Sequence, residues 1–373
     1  WKIVDAKTPE GKPLVPWINN NSSTFTNKII IHPSFKDYRP TTTARWFSAC
    51  TNLTALEGME YLNTSQVTDM SGMFAGAIHL KAIDLSHFDT EKVTNMSEMF
   101  AGCKSLSSLD LTTFNTSKVT DMSEMFAGCR DMVKANVSSF NTAAVTTLDM
   151  MFAGCSSLTS LDLTHFNTTN VTDMGLLFGG CSSLQQLDLS SFNTSNVTDM
   201  GFMFNECTSL KQIDVSHFNT AKVTNMSDMF RGCSTLQQID LSHFNTAKVT
   251  SMSDMFNECT SLKHLDLSNF NTEQLTYTYK MFNGCSALES LDLTHFVLSD
   301  QTEADMMFKG CSSLRTIYCS NSWKCRTSTD MFKDCLNLQG AMNYDEIKTG
   351  VTMANPPTGY FTIKPQDKPE VKT

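Results

Sequence analysis

The sequence predicts an α/β repeat solenoid, in which one small unit recurs along the chain and packs only on its neighbours. Phenylalanine precedes a cysteine by three residues in nearly every copy, as at Phe152 and Phe178. A leucine phrase, LDL, then follows, as at 161–163. The cysteines keep a constant step of 26 residues: Cys103, Cys129, Cys155, Cys181, Cys207, Cys233, Cys259, Cys285 and Cys311.

Each phrase of the repeat predicts one local element. LDL alternates apolar and polar side chains, which indicates a β-strand with one buried face. VTDM, as at 119–122, indicates a second, shorter strand. SEMFAG, at 123–128, begins with serine and ends with glycine, which favours a single capped helical turn. FNTS, at 114–117, is typical of a turn, because Asn and Ser bond to nearby backbone. Stacked copies then form a parallel β-sheet.

The regular pattern sets the predicted domain boundaries. Residues 1–45 break it and contain the apolar run Ile29–Ile31, which favours an N-terminal cap over the open edge of the first coil. Residues 46–315 form the solenoid of 26-residue units, and 316–361 hold a degenerate last repeat and a C-terminal cap. The Pro- and Lys-rich stretch 362–373 indicates a linker or a disordered tail.

Composition limits the class of partner. The net charge is −10, which disfavours nucleic acid and electrostatic docking on anionic lipid. The sequence lacks an apolar run of about 18 residues, so we expect no transmembrane segment. It opens WKIVDAKTPEG, without a charged and apolar leader, so we expect any signal and anchor to lie outside this sequence.

The cysteine column predicts a stack of buried free thiols. It includes Cys50 and Cys335 besides the nine evenly spaced cysteines, and Ala77 stands in the same place. A position that accepts alanine suits a thiol acting as a small hydrophobe. Disulfides between alternate neighbours are the other interpretation, but they need a special geometry at each step. Cys319 and Cys325 lie outside the column, and we expect a disulfide between them in an extracellular setting.

The complete phrase LxxLDLSxFNTSxVTDMSxMFxGC, over residues 46–361, resembles the BspA family of leucine-rich repeat surface proteins, in the subclass called mycoplasma-lipoprotein-type repeats. The resemblance implies a leucine-rich-repeat-like, right-handed coil in a bacterial protein that is secreted or held at the cell surface. It also implies adhesion to host proteins, matrix or other cells. The family shares no catalytic residue and no fixed ligand site, so the resemblance assigns none. Ala135 and Asn136 depart from the LDL phrase, which predicts a local irregularity.

A column of aspartates runs through the LDL phrases and is the main candidate for a ligand-facing ladder. Neighbouring carboxylates about 5 Å apart repel, so they need water, hydroxyl partners or cations. One interpretation is a solvated face satisfied by nearby Ser and Thr; the other is a surface that recognises a cationic or hydroxyl-rich ligand. The candidate positions are Asp162, Asp188, Asp214, Asp240 and Asp266. No stretch matches a calcium loop.

His217 and His243 occupy one corner position in adjacent repeats and extend the candidate ladder. Two imidazoles and a carboxylate would suit zinc, but Thr113 and Ser139 fill the same position elsewhere, which favours a plain surface corner. Ser, His and Asp recur in every repeat, so their co-occurrence does not indicate a catalytic triad. We predict no catalytic residue, metal or cofactor.

The predicted function is that of a non-enzymatic, adhesin-like bacterial cell-surface protein. A long, shallow face suits a protein, a matrix protein or a glycan better than a small molecule, which prefers a closed pocket. The alternative is a stalk that presents another domain, and a stalk would keep its exposed columns uniform. Gln185–Gln186 and Lys211 vary these columns, which favours binding. We expect a monomer that does not bind nucleic acid.

Overall fold

The computed structural model describes residues 27–365, which fall into two compact units that divide between Ile213 and Asp214. In unit 1, β1 pairs with β2 and β3 pairs with β4, both in parallel. Two short 3-10 helices, Pro33–Asp37 and Met59–Tyr61, accompany them. The strands of unit 1 are β1 Lys28–Ile30, β2 Ala55–Glu57, β3 Ser108–Asp110 and β4 Lys134–Asn136.

Unit 2 holds a four-stranded parallel sheet in the order β5-β6-β7-β8. Its strands are β5 His264–Asp266, β6 Ser290–Asp292, β7 Thr316–Tyr318 and β8 Phe361–Thr362, with a 3-10 helix at Val351–Met353. Strands β3 to β7 fall on LDL phrases or their equivalents, so the predicted parallel solenoid is confirmed. Within residues 27–365 no helix is long and apolar enough to cross a membrane.

The predicted caps are described only in part. Strand β1 overlaps the apolar run Ile29–Ile31 and pairs in parallel with β2, and that this segment caps the solenoid stays a prediction. Residues 1–26 and 366–373 lie outside the described part of the chain, and with them most of the predicted tail. The other boundaries predicted from the sequence stay predictions.

The predicted helical turns are not formed: between residues 27 and 365 the SEMFAG segments are runs of turns. Met99 donates its N–H to Met96 O of its own coil, whereas Phe100 donates to Met125 O of the next coil at 2.9 Å. Amides therefore alternate between the two coils, which a helix does not allow. Glu98 and Gly102 have φ of 56° and 69°, in the left-handed region that interrupts a right-handed turn. The class is thus a parallel β-solenoid rather than α/β.

The second, shorter strand is reduced to one bridging residue per coil. Thr147 forms parallel bridges with Asp121 of the preceding coil and Asp173 of the following coil. Further amides bond along the same side, as where Thr146 N–H donates to Thr120 O at 2.9 Å. This side of each unit is therefore held together continuously, whereas LDL phrases pair as strands in only some coils.

The interior consists of columns of identical side chains. The phenylalanine before the cysteine stacks on its equivalents, with ring centroids 5.3 Å apart between Phe126 and Phe152 and 5.9 Å apart between Phe256 and Phe282. Cys155 Sγ donates to Phe126 O at 3.2 Å, and burial raises the pKa of this thiol to about 12. The eleven column cysteines are buried free thiols. Cys319 and Cys325 are also free thiols here, which differs from the expected disulfide.

A buried threonine column joins consecutive coils. Thr142 Oγ1 donates to Asn167 O at 3.0 Å and accepts the Asn167 N–H at 2.8 Å. The sequence predicts only a turn in this FNTS phrase, and its threonine is instead an interior hydrogen-bonding group. The column comprises Thr64, Thr90, Thr116, Thr142, Thr168 and Thr194 in unit 1, and Thr220, Thr246 and Thr272 in unit 2.

Candidate ligand-binding faces

The LDL face, formed by the exposed residues of the LDL phrases and the corner after them, carries the predicted aspartate ladder. Asp162 and Asp188 lie in unit 1 and Asp214, Asp240 and Asp266 in unit 2, and all five are exposed. Each accepts the N–H of the residue two positions on, at 2.9–3.1 Å, from Thr164, Ser190, Ser216, Ser242 and Ser268 respectively. One carboxylate oxygen is therefore used to close the turn after the LDL phrase.

These turn contacts favour the ionised form of three ladder members, Asp162, Asp214 and Asp240. The hydroxyl and the N–H of Thr164 lower the pKa of Asp162, because both bonds favour the charged carboxylate. Ser216 and Ser242 lower the pKa of Asp214 and Asp240 in the same way. The ladder thus has a structural task at each of its five positions, and it also presents negative charge to solvent.

The candidate histidines lie beside the ladder, both in unit 2. His217 and His243 are exposed at the corner after the LDL phrase, and the His217 ring meets Phe218 edge-on at 5.2 Å between centroids. Across residues 27–365, no group of three or more His, Cys, Asp or Glu side chains is placed to hold a metal ion. The structure therefore brings the two histidines to one side of the coil without completing a zinc site.

Two shallow grooves open on the LDL face of unit 1. Ser160–Asp162 does not join the β3–β4 sheet, and a groove of about 320 Å³ lies between this segment and β4. Ala135, where most coils place leucine or isoleucine, leaves room for it. A second groove, of about 420 Å³, lies between 160–164 and 186–188. The irregularity predicted at Ala135 and Asn136 thus lines a groove.

Unit 2 has a comparable groove of about 350 Å³ on its own LDL face. His264 Nδ1 lies 3.0 Å from Ser290 Oγ, and Lys364 Nζ lies 2.6 Å from Asp292 Oδ2. Asp292 is only 7 % exposed. Burial opposes its ionisation, but the bonds from Lys364 and Thr294 outweigh it and lower the pKa of Asp292. This groove therefore carries a fixed ion pair at one end and an imidazole at the other.

Sequence reasoning missed two departures from the repeat on a different side of the coil, one exposed and one partly exposed. Tyr277 and Tyr279 replace the Asp and Ser of the DMS phrase and are 49 % and 36 % exposed. Met150, Leu176 and Phe202 replace glutamate or aspartate in three consecutive coils. Aligning the repeats column by column and asking which exposed positions change character would have found both.

A family model described as Mycoplasma protein of unknown function, DUF285, matches the chain at residues 41–161, 151–264, 203–323 and 229–349. These matches together span 41–349, which is most of the chain, and they confirm the resemblance to mycoplasma-lipoprotein-type repeats. None of the curated proteins matches the chain.

Several solved structures are similar to the chain. A leucine-rich cell-surface protein from Faecalibacterium prausnitzii is 18 % identical, with a TM-score of 0.44, over 80 % of this chain and 84 % of that one. A leucine-rich repeat protein from Bacteroides ovatus is 17 % identical, with a TM-score of 0.33, over 84 % and 86 %. A leucine-rich repeat protein from Eubacterium ventriosum is 14 % identical, with a TM-score of 0.35, over 96 % and 88 %.

Proposed function

The chain belongs to the DUF285 family of repeat proteins, and from that premise we propose that it is a non-enzymatic, adhesin-like protein of the bacterial cell surface. Its LDL face binds a protein or glycan of a host or of a neighbouring cell. We assign no catalytic role to any residue. The proposal extends to this chain the surface location implied by the family resemblance.

The observation that carries the proposal is the variation of the LDL face from coil to coil. The interior columns repeat almost unchanged, whereas the grooves present Lys134 and Asn136 in one coil, Gln186 in another, and His264 and Tyr318 in unit 2. Open grooves of this kind suit a macromolecule, which covers several coils at once, better than a small molecule. A stalk needs no such variety.

The experiment is binding of the whole chain to arrays of extracellular-matrix proteins and of mammalian glycans, with and without EDTA. We expect a saturable signal on at least one array that survives EDTA. The double variant Ala135→Leu and Asn136→Asp changes the phrase at 135–137 from ANV to LDV and fills the groove beside β4, so it should weaken binding at least tenfold. Ala143→Ser, at an exposed turn outside the face, is the control and should bind as the wild type does.

Two results would contradict the proposal. If the wild-type chain binds neither array, the stalk is the better account. If the groove-filling variant binds as tightly as the wild type, recognition does not use this groove. The variant replaces residues with those that other coils already carry, so we expect it to fold, and thermal unfolding checks this.

A further inference from the structure

A patch on unit 1 departs from the repeat in a way that the fold does not require. Each coil has a left-handed residue five positions before its cysteine, and in two early coils this residue is Glu98 or Glu124. In the next three coils it is Met150, Leu176 and Phe202, which we call the apolar stripe. Since the column accepts glutamate, the apolar residues need another explanation.

The stripe is continuous because the backbone holds its members in register. Met150 donates its N–H to Gly175 O and Leu176 donates to Gly201 O, both at 2.8 Å. Coils bonded in this way are about 4.8 Å apart. All three side chains are partly exposed, and Leu176 lies flat over Gly179, with its Cγ 2.8 Å from the point that a Cβ there would occupy. The stripe is thus a continuous, half-buried apolar strip, and at its centre Leu176 is packed against the backbone.

Carboxylates border the stripe. Oδ1 of Asp149 lies 3.0 Å, and Oδ1 of Asp173 3.2 Å, from the point that a Gly175 Cβ would occupy. The two carboxylates therefore lie close together beside Gly175. Neither takes part in any ion pair found within residues 27–365. The segments that carry the stripe contain acidic residues but no lysine or arginine: 145–155, 171–181 and 197–207.

We propose that the apolar stripe and its bordering carboxylates bind a basic amphipathic helix of a partner protein. The stripe spans two coil steps, or about 10 Å, which matches apolar side chains at positions i, i+4 and i+7 of a helix laid along it. Covering Asp149 and Asp173 removes water from two charges, which is unfavourable unless the partner supplies cations. Lysine or arginine beside the apolar face of the helix meets that need.

This site lies on a different side of the coil from the LDL face and does not depend on the function proposed for it. The probe is a fluorescent 18-residue helical peptide of leucine and lysine, with leucines at i, i+3, i+4 and i+7 spacing. A second peptide carries glutamate in place of every lysine. Binding to the whole chain is measured by fluorescence anisotropy at low and at physiological salt.

The test variant is Met150→Glu, Leu176→Glu and Phe202→Glu, which restores the residue type of Glu98 and Glu124 and so should fold. The control is Ser117→Glu, Ala143→Glu and Thr169→Glu, in an exposed column that already holds Glu91 and Glu273. Both variants add three negative charges. We expect the test variant to lose at least tenfold in affinity for the lysine peptide, although its added charge alone would strengthen binding. The control should bind at least as tightly as the wild type.

Equal affinity of the two variants would overturn the proposal, because the peptide would then respond to net charge alone. Equal binding of the lysine and glutamate peptides to the wild type would also overturn it, because the carboxylates would then have no part in recognition. If the groove variant loses array binding but still binds the lysine peptide as the wild type does, the result bears on the LDL face and leaves the proposal for the apolar stripe intact. The two proposals can therefore fail separately.

Discussion

Glu258 has a φ of 62°, in a region that favours glycine. It stands directly before the column cysteine, where Gly128 and Gly154 have φ of 70° and 68°. A residue with a side chain is less stable in this conformation by about 1–2 kcal/mol. The backbone at this position of the repeat is left-handed whether or not glycine is present. The fold therefore imposes the conformation, and Glu258 is strained in it.

We expect Glu258→Gly to raise the free energy of unfolding by about 1 kcal/mol, because it removes this strain at some cost in unfolded-state entropy. Urea denaturation measures the change. Glu258→Ala keeps a Cβ and should leave the unfolding free energy unchanged. An equal gain in both variants would show that the carboxylate, and not the backbone, is unfavourable.

Asp149 makes stability depend on pH. Burial, followed by the charges of Asp173, Glu124 and Asp199, raises its pKa from 3.8 to about 6. The folded state therefore binds this proton more tightly than the unfolded state does. The destabilisation is absent below about pH 4, grows as the pH rises, and is complete above about pH 6.

Asp149→Ser introduces the residue that Ser123 supplies in the preceding coil. The shift alone corresponds to about 3 kcal/mol, and solvent screening of a partly exposed group reduces it to about 1 kcal/mol. We expect this gain in unfolding free energy near neutral pH and none near pH 4. Urea denaturation at both pH values measures it. A gain of the same size at both would point to packing instead of charge.

At the scale of the element, the threonine column determines how one coil holds the next. Thr142→Val keeps the shape of the side chain but leaves the N–H and the C=O of Asn167 without their partner. Each unsatisfied group costs about 1–3 kcal/mol, so for the two groups together we expect a loss of about 2–6 kcal/mol in unfolding free energy. Thr142→Ser retains the hydroxyl and should lose much less. Similar losses in the two variants, measured in urea, would exclude the hydroxyl as the cause.

The sequence correctly predicts which side chains point into the core, because these recur at a fixed period. It does not predict the hydrogen bonds of a backbone amide that could bond either its own coil or the next one. Leu109 and Phe152 can be placed in the core from the period alone, because apolar side chains recur at one position. The residues 123–128 carry the end signals of a helical turn, yet alternate amides bond the next coil instead. Local propensity describes only residues close in sequence, whereas the next coil becomes a hydrogen-bond partner only after the coils stack.

The same limit applies to the candidate faces. The period places Asp162 and its equivalents on the outer side, where the structure has them. One of the two interpretations has nearby Ser and Thr satisfy these carboxylates, but the period does not reveal that the N–H of Thr164 takes part and closes a turn. The apolar stripe lies within columns that look like variable surface, and only its continuity over adjacent coils distinguishes it.

At the scale of the whole molecule, the thiols provide the simplest test. The chain has 13 cysteines, all free in the structure, and only Cys325 is partly exposed. Burial raises the pKa of Cys325 as well, to about 12, and a protonated thiol is a poor nucleophile. We expect at most one thiol to react with Ellman's reagent in the native protein. All 13 should react in guanidinium chloride without reductant.

The denatured count also decides the pairing expected from the sequence. Eleven reactive thiols, 13 minus two, would show that Cys319 and Cys325 are joined. Rapid reaction of several thiols in the native protein would mean that the cysteine column is open to solvent, which would contradict the packing of both units.

The reciprocal threonine bonds have a mechanical consequence. Within a unit each coil is hydrogen-bonded to the next through the same few contacts, so the interior coils are equally stable. An end coil has such contacts on one side only. Under tension applied to the termini, a unit should therefore peel inward from its ends. Each event would free 26 residues, or about 90 Å of extended chain, so that the force trace would show a regular sawtooth and not a single rupture.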